Sequence, residues 1–500
     1  MSQDIDQGFN DESVQEGDRF GLKKVRELLQ LQASQIVDLR LDEGERELVF
    51  TAEFKRSPTD IVDITAFLFD HAVLLTQTKK NHKNEEFEVY RRPIPLALLD
   101  MPKMKKDIFA PREKRSSILI PFLKASRADT KKNEIWPITF HHLGKAGYEL
   151  TLYASSRADQ KRWREHIDIA QKRLHTKSEI LHPSIVSSIL FASDNKVNCA
   201  ASFDDGRQLL YGTDNGIYLY CSENNEEKPQ KISEGRKITQ IDILEEYNLL
   251  LVLSNKTLQL YTLTNVGSKQ IAIKKSPKNV QNRCSFFKAG ICMKKHIVSC
   301  VKAGPLSTTV KVFELKSFMI DDEPPVGGLR FLKEFYIPKK CLSIHFLRSE
   351  LCVASSQGFE VVSLDTLETQ SLLDQADTTL EFAHKKGTKP IHIERVGGDF
   401  LLNYSEFSFF VNRSGWRARP DLYIDWEGTP QNFALSYPWI VAFEPNFVEI
   451  RHIETGSIRI IPHRNIRMLH ENAHKIIYVF EDEHGRDIVG YIRIRANYTQ

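Results

Sequence analysis

One pattern recurs seven times between Arg207 and Arg495: an apolar strand, a turn rich in Ser, Gly, Asn or Asp, and a second apolar strand. Examples are RQLLYGTDNGIYLY from Arg207, NLLLVLSNKTLQLYTL from Asn248, ELCVASSQGFEVVSL from Glu350 and DFLLNYSEFSFFVN from Asp399. Each copy follows another short apolar run, such as CAASF from Cys199, ITQIDIL from Ile238 or CLSIHFL from Cys341. A sheet of this kind cannot bury both faces alone, so units repeating every roughly 40–50 residues must stack around an axis. The expectation is a seven-bladed β-propeller over 185–500. A pair of β-sandwiches would fit the strand count without explaining the similarity of the units. Outer strands follow some triplets, as at Glu368 (ETQSLL) and Ser457 (SIRIIPH), but the last triplet is followed closely by Gln500. Its outer strand is therefore expected from Ile185–Phe191 (IVSSILF), which would close the ring and remove its exposed edges.

A second domain is required, because 500 residues exceed what one domain usually holds. The composition, 41% hydrophobic and 27% charged, is that of a soluble globular chain. No stretch approaches the roughly 18 apolar residues of a membrane span, and an opening with Asp4, Asp6, Asp11, Glu12, Glu16 and Asp18 is no signal peptide. The seven cysteines are scattered without paired spacing, which predicts buried reduced thiols rather than a disulfide framework. Cys341, His345 and Cys352 come nearest to a metal-ligand set, but Cys341 and His345 fall on a strand at an even spacing with apolar neighbours, so no metal or other cofactor is expected.

Ahead of the propeller lie long strands joined by polar turns: RELVFTAEFKR from Arg46, DIVDITAFLFDHAVLLTQTKK from Asp60 and FEVYRRPIPLALL from Phe87. A half-apolar sheet needs a cover. YELTLYA from Tyr148 runs into SSRADQKRWREHIDIAQKRL, where Ser156 and Asp159 make a capping-box-like start. Trp163, Ile167, Ala170 and Leu174 then recur at helical spacing. This predicts a small barrel closed by one amphipathic helix, with Trp163 as a structural residue.

These residues resemble a known pair of families. The FLFDHAVLLTQ strands and the helix with Trp163 are similar to the pleckstrin-homology domain beside the catalytic domain of Rho guanine-nucleotide exchange factors. LLYGTDNGIYLY (Leu209–Tyr220) and FLLNYSEFSFFVNRSGWRARP (Phe400–Pro420) resemble blades of the citron-homology (CNH) propeller. The order of the two matches the C-terminal half of fungal Rom-type exchange factors, which act on Rho-family GTPases in cell-wall signalling. The resemblance implies an acidic disordered tail at 1–21, a connecting helix at 22–40 and a pleckstrin-homology domain at 41–176. A basic insertion near 101–135 and a short linker at 177–184, stiffened by Pro183, complete the expected layout. The Dbl-homology domain that catalyses exchange in that family does not precede these strands. The chain is therefore expected to be non-enzymatic, either a piece of a longer factor or a product without catalysis. The partners implied are a Rho-family GTPase or the factor's own Dbl-homology domain, with cytoplasmic location and recruitment to the cell cortex. The alternative is a CNH-type scaffold of a membrane-trafficking complex, disfavoured because no long helical repeat follows.

Lys55, Arg56, Lys79, Lys80, Lys83, Arg91 and Arg92 are the candidates for contact with anionic lipid, each near-surface cation contributing about 1 kcal/mol. The first loop, FKRSPTDIVDI, places acids where a tight phosphoinositide pocket would need another cation. Nucleic acid is not expected as a partner, since the net charge is only +3 and the aromatics fall on strands. Catalysis on the propeller would have to use Asp204, Asp205, Asp214, Glu406 and Asp425, but these fall at turns, where Asp bonds nearby backbone. The protein-interaction candidates are Arg413, Trp416, Arg417 and Arg419, an aromatic anchor grouped with guanidinium donors. The competing reading has Trp416 plugging between blades while the arginines pair with Asp421, Asp425 and Glu427. Trp426 and Trp439 are expected in the core.

Overall fold

The computed structural model describes residues 29–30, 46–81, 84–102, 135–176, 181–204, 206–221, 228–264, 272–273, 277–320, 323–385, 387–471 and 475–494. The chain divides into two units, Met1–Ser178 and Glu179–Gln500.

In the first unit, Leu48–Phe54, Ile64–Phe69, Ala72–Asn81 and Asn84–Val89 form an antiparallel meander. A second sheet contains Leu99–Asp100, Trp136–His142 and Glu149–Ala154. Paired backbone hydrogen bonds of 2.9 Å between Lys55 and Tyr153 stitch the two sheets together. Helix α1 (Arg157–Thr176) covers the resulting core. Its start has the expected reciprocal geometry: the Asp159 amide donates to Ser156 Oγ at 3.1 Å and that hydroxyl donates to the Asp159 carboxylate at 2.7 Å. Trp163, Ile167 and Ala170 are buried against Phe54, Phe140 and Leu152. Farther along the helix, Gln171 Nε2 donates to the carbonyls of Leu96 and Leu99 at 2.9 and 2.8 Å, fixing the helix to the turn between the sheets.

The connecting helix expected at 22–40 lies outside the described residues except at Leu29–Gln30. These two are extended instead, pairing in parallel with Phe87–Glu88, where they satisfy backbone groups on the free edge of the meander. The tail at 1–21 and nearly all of the basic insertion near 101–135 also lie outside the described residues.

Among the described residues the second unit contains seven four-stranded antiparallel sheets; the second blade also has a short added strand at Ala272–Ile273. Their innermost strands are Val197–Phe203, Ile238–Leu244, Phe286–Cys292, Cys341–Phe346, Pro390–Val396, Asn432–Ser436 and Arg464–Glu471. We number the blades one to seven in that order. The apolar cores lie between neighbouring blades. One cluster joins Leu210 and Ile217 to Leu250 and Val252, the next joins Leu251 and Leu258 to Phe287 and Val298, and the series continues round to Tyr211 with Ile477 and Val479. Stacking therefore supplies the burial that no single blade has.

The seventh blade takes its outer strand from Leu181–Phe191, antiparallel to Asp487–Ile494, as the end of the repeat predicts. That strand begins before Ile185, so 181–184 belong to the propeller rather than to a linker. Pro183 is accommodated because the strand is outermost, where one side of the backbone needs no ladder partner. Trp426 and Trp439 are buried, as expected.

Candidate interaction surface

The basic residues of the first unit are not equivalent. Lys55 uses its backbone in the bridge to Tyr153, and Arg56 is exposed but ion-paired to Asp63. The acid in the first loop thus neutralises the nearest guanidinium. Arg91 and Arg92 were expected on a strand; they fall in the connection after Asn84–Val89, because Pro93 cannot continue the ladder. Arg92 donates to the Lys145 carbonyl at 3.0 Å, while the exposed Arg91 lies over the Tyr90 ring at 5.4 Å. Lys79 and Lys80 sit on Ala72–Asn81, opposite Glu86 and Glu85, with side chains outside the described residues. Lys83 is outside them altogether.

The propeller loop Asn412–Pro420 holds two kinds of arginine. Asn412 builds the turn, its side-chain oxygen accepting from the amides of Ser414 and Trp416 at 2.9 and 3.1 Å. Gly415 has φ +79°, and a Cβ there would meet the Leu372 carbonyl, so this close backbone approach requires glycine. Trp416 is 43% exposed, and its indole N–H donates to Asp374 at 3.0 Å. Asp377 caps the segment Thr378–His384 by accepting from the Thr379 amide, and it also accepts from the Arg417 amide at 2.7 Å, while the Arg417 guanidinium lies over Phe382. Arg419 holds a positive φ of 48° while pairing with Asp399 at 3.0 Å and covering Phe410. The acids that hold this loop are thus Asp374, Asp377 and Asp399, from the preceding connection and the blade's second strand, rather than Asp421, Asp425 and Glu427. Arg413 alone of the three arginines is exposed without such a contact among the described residues.

At the axis the inner strands bring together groups that are far apart in sequence. Lys288 of blade three acts electrostatically on Asp242, His345, Glu394, His470 and Glu471, which come from blades two, four, five and seven. Burial pushes the Asp242 carboxyl up to about 6, with Lys288 opposing. Burial also acts upward on Glu394, but the His392 hydrogen bond of 2.7 Å and the neighbouring positive charges leave it below its ordinary value. Burial raises Glu471, whose carboxylate accepts from the Leu435 amide at 2.9 Å across the blade boundary. Similar contacts join Gln240 to Phe287, Ser343 to the Ile391 carbonyl, and Ser202 to His470. The arrangement ties innermost strands together.

Of the turn carboxylates weighed for catalysis, Asp204 and Asp214 are engaged locally. Asp214 accepts from the Lys196 amide and Asn198, Asp204 pairs with Arg207, and Asp205 lies outside the described residues. No metal-binding group of His, Cys, Asp and Glu occurs among the described residues, and Cys341, His345 and Cys352 form none. No described helix is long and apolar enough to cross a membrane.

His470 gives the axial cluster a pH signature. Burial lowers its imidazole to about 4, so it stays neutral when folded but takes up a proton near 6.5 when unfolded. Its contribution is present above pH 6.5 and is lost as the pH falls towards 4. His470→Gln removes this proton uptake, so the stability lost between pH 7 and pH 5 in urea denaturation should be smaller than in wild type by about 2 kcal/mol, about 0.9 kcal/mol per pH unit. Equal slopes would place His470 in water.

A CNH domain model matches residues 205–472, and a pleckstrin homology domain model matches residues 48–171. The chain is 41% identical over 493 residues to Rho1 guanine nucleotide exchange factor 1 of Schizosaccharomyces pombe, covering 94% of this chain and 37% of that protein. It is 34% identical over 507 residues to RHO1 GDP-GTP exchange protein 2 of Saccharomyces cerevisiae, with coverage of 94% and 37%. The solved structure "AfRom2 CNH domain" aligns with a TM-score of 0.56 and 52% identity, over 62% of this chain and 98% of that chain. The chain thus spans a little over a third of the length of the two exchange factors, 37% of each.

Proposed function

Because the chain belongs to the CNH-domain family and carries a pleckstrin homology domain ahead of its propeller, we propose that it is the regulatory, interaction-making part of a Rho-family exchange factor. The observation that carries this reading is similarity to a Rho1 exchange factor along 94% of the chain, through both domains. In this reading the module performs no nucleotide exchange itself. The propeller contacts a Rho-family GTPase or the factor's Dbl-homology domain, and the exposed Trp416 with Arg413 offers the aromatic and guanidinium anchor that interfaces favour. Pleckstrin-homology residues such as Arg91 add weak anionic-membrane contact that concentrates the factor at the cell cortex.

The test is binding of the 500-residue chain to a purified Rho GTPase that is nucleotide-free, GDP-bound or bound to a GTP analogue, at two salt concentrations. Preference for the GTP form is expected, with weaker binding for Trp416→Ala. Absence of binding in every state, together with no effect on a separately added Dbl-homology domain, would overturn the proposal.

A further inference from the structure

The face of the propeller that carries Trp416 also carries a cleft of about 1110 Å³ spanning blades three to five. Its position follows from topology. Strands alternate in direction within a blade, so the turn joining the first and second strands and the turn joining the third and fourth emerge on the same face. Arg348 lies in the first such turn of blade four, between Cys341–Phe346 and Glu350–Ser355. Arg395 precedes the corresponding turn of blade five, and Arg413 occupies that blade's other turn on this face. All three line the cleft.

The charges in the cleft are unevenly satisfied. Arg348, Arg395 and Arg413 are exposed, and none has a side-chain ion pair or hydrogen bond among the described residues. Of the carboxylates on the same walls, Asp374 accepts from the Trp416 indole at 3.0 Å and the Ala376 amide at 2.9 Å. Glu394 is held by His392 at 2.7 Å and lies in the field of Lys288. Glu350 is left against three guanidiniums, each with a fork of donors suited to carboxylate or phosphate. The walls also include Leu347, Phe400 and Ile291, the last 59% exposed. A single anion would leave most of this volume and its apolar wall unused. A peptide would use both, placing its charged group on the arginines and a neighbouring side chain against Ile291. A flat membrane surface could not enter a concave site of this shape.

We propose that this cleft binds a peptide segment carrying a phosphorylated serine or threonine. The phosphate supplies nearly two charges and three acceptor oxygens, more than one carboxylate offers to these donors. Trp416, held at the rim through Asp374, positions the side of the cleft nearest Arg413. This inference does not rest on the GTPase reading, and its test contains no GTPase, so either can fail alone.

The experiment passes three nonapeptide libraries over the immobilised full chain, with the central residue fixed as phosphoserine, glutamate or serine. A second arm uses phosphatidylcholine vesicles containing phosphatidylserine. The phosphoserine pool should be retained about tenfold more than the serine pool, as expected for a charge-assisted bonding set. The triple variant Arg348→Gln/Arg395→Gln/Arg413→Gln should lose that difference, and Arg413→Gln alone should reduce it. These are exposed side chains without side-chain partners among the described residues, and an unchanged thermal midpoint verifies that the variants fold. Equal retention of phosphoserine and serine pools, or retention unchanged in the triple variant, would overturn the proposal. So would vesicle binding that falls in the triple variant without any peptide preference.

Discussion

Asp487→Ala should lower the stability of the propeller by about 3–5 kcal/mol, the range for removing one partner from a buried ionic group. Asp487 is 0% exposed at the seam where the last blade meets the first. Its carboxylate accepts from the Val197 amide at 2.8 Å, from Arg467 at 2.6 Å and from Lys196 at 3.4 Å. Lys196 also donates to Glu481 at 2.8 Å and to the Gly485 carbonyl at 2.6 Å. Burial pushes the Lys196 ammonium down, but the Glu481 and Asp487 carboxylates more than offset this and hold it above its ordinary value. Alanine would leave two cations facing a buried backbone amide with no acceptor. Asp487→Asn keeps an oxygen for that amide and should cost less. Urea denaturation followed by tryptophan fluorescence would measure both. A loss under about 1 kcal/mol for the alanine variant would mean that strand pairing alone closes the ring.

Closure was legible because it is a counting argument: seven similar triplets with one outer strand to supply leave only a segment before the first triplet. The blades were legible for a related reason, since inner strands such as Ile238–Leu244 and Leu249–Ser254 are apolar runs bounded by turn residues. The cap at Ser156 and the face led by Trp163 are local signals that tertiary packing preserved. The interaction sites were harder. Arg417 and Arg419 looked like surface donors because the acids they meet lie 40 and 20 residues back: Asp377, which takes the Arg417 amide, sits in a connection with no repeat pattern, and Asp399, which takes the Arg419 guanidinium, opens the blade's second strand. The axial cluster left no trace at all, because Lys288, His345, Glu394 and Glu471 come from different blades and meet only once the ring exists. Arg348 and Arg395 occupy comparable places at the ends of the inner strands of blades four and five. That regularity was available in the sequence, but an isolated turn arginine is ordinarily a solvated one.

Trp163→Ala should cost about 3–5 kcal/mol in the first unit, the usual penalty for emptying a buried aromatic site. The indole is fully buried between Phe54, at 5.4 Å and edge-on, Phe140 at 6.3 Å and Phe50 at 5.8 Å. These rings come from both sheets, so the side chain fastens the helix to each of them. Its N–H has no acceptor among the described residues, a desolvation cost that the wild-type protein carries. Trp163→Phe therefore removes volume and also relieves the unpaired donor, and should cost clearly less than the alanine change. Hydrogen exchange on the full chain would separate the two variants: amides of Leu48–Phe54 and Trp136–His142 should lose most protection in the alanine variant and little in the phenylalanine one. If Phe proved as damaging as Ala, the indole N–H would have to be making a bond in solution, and shape alone would not explain why tryptophan stands there.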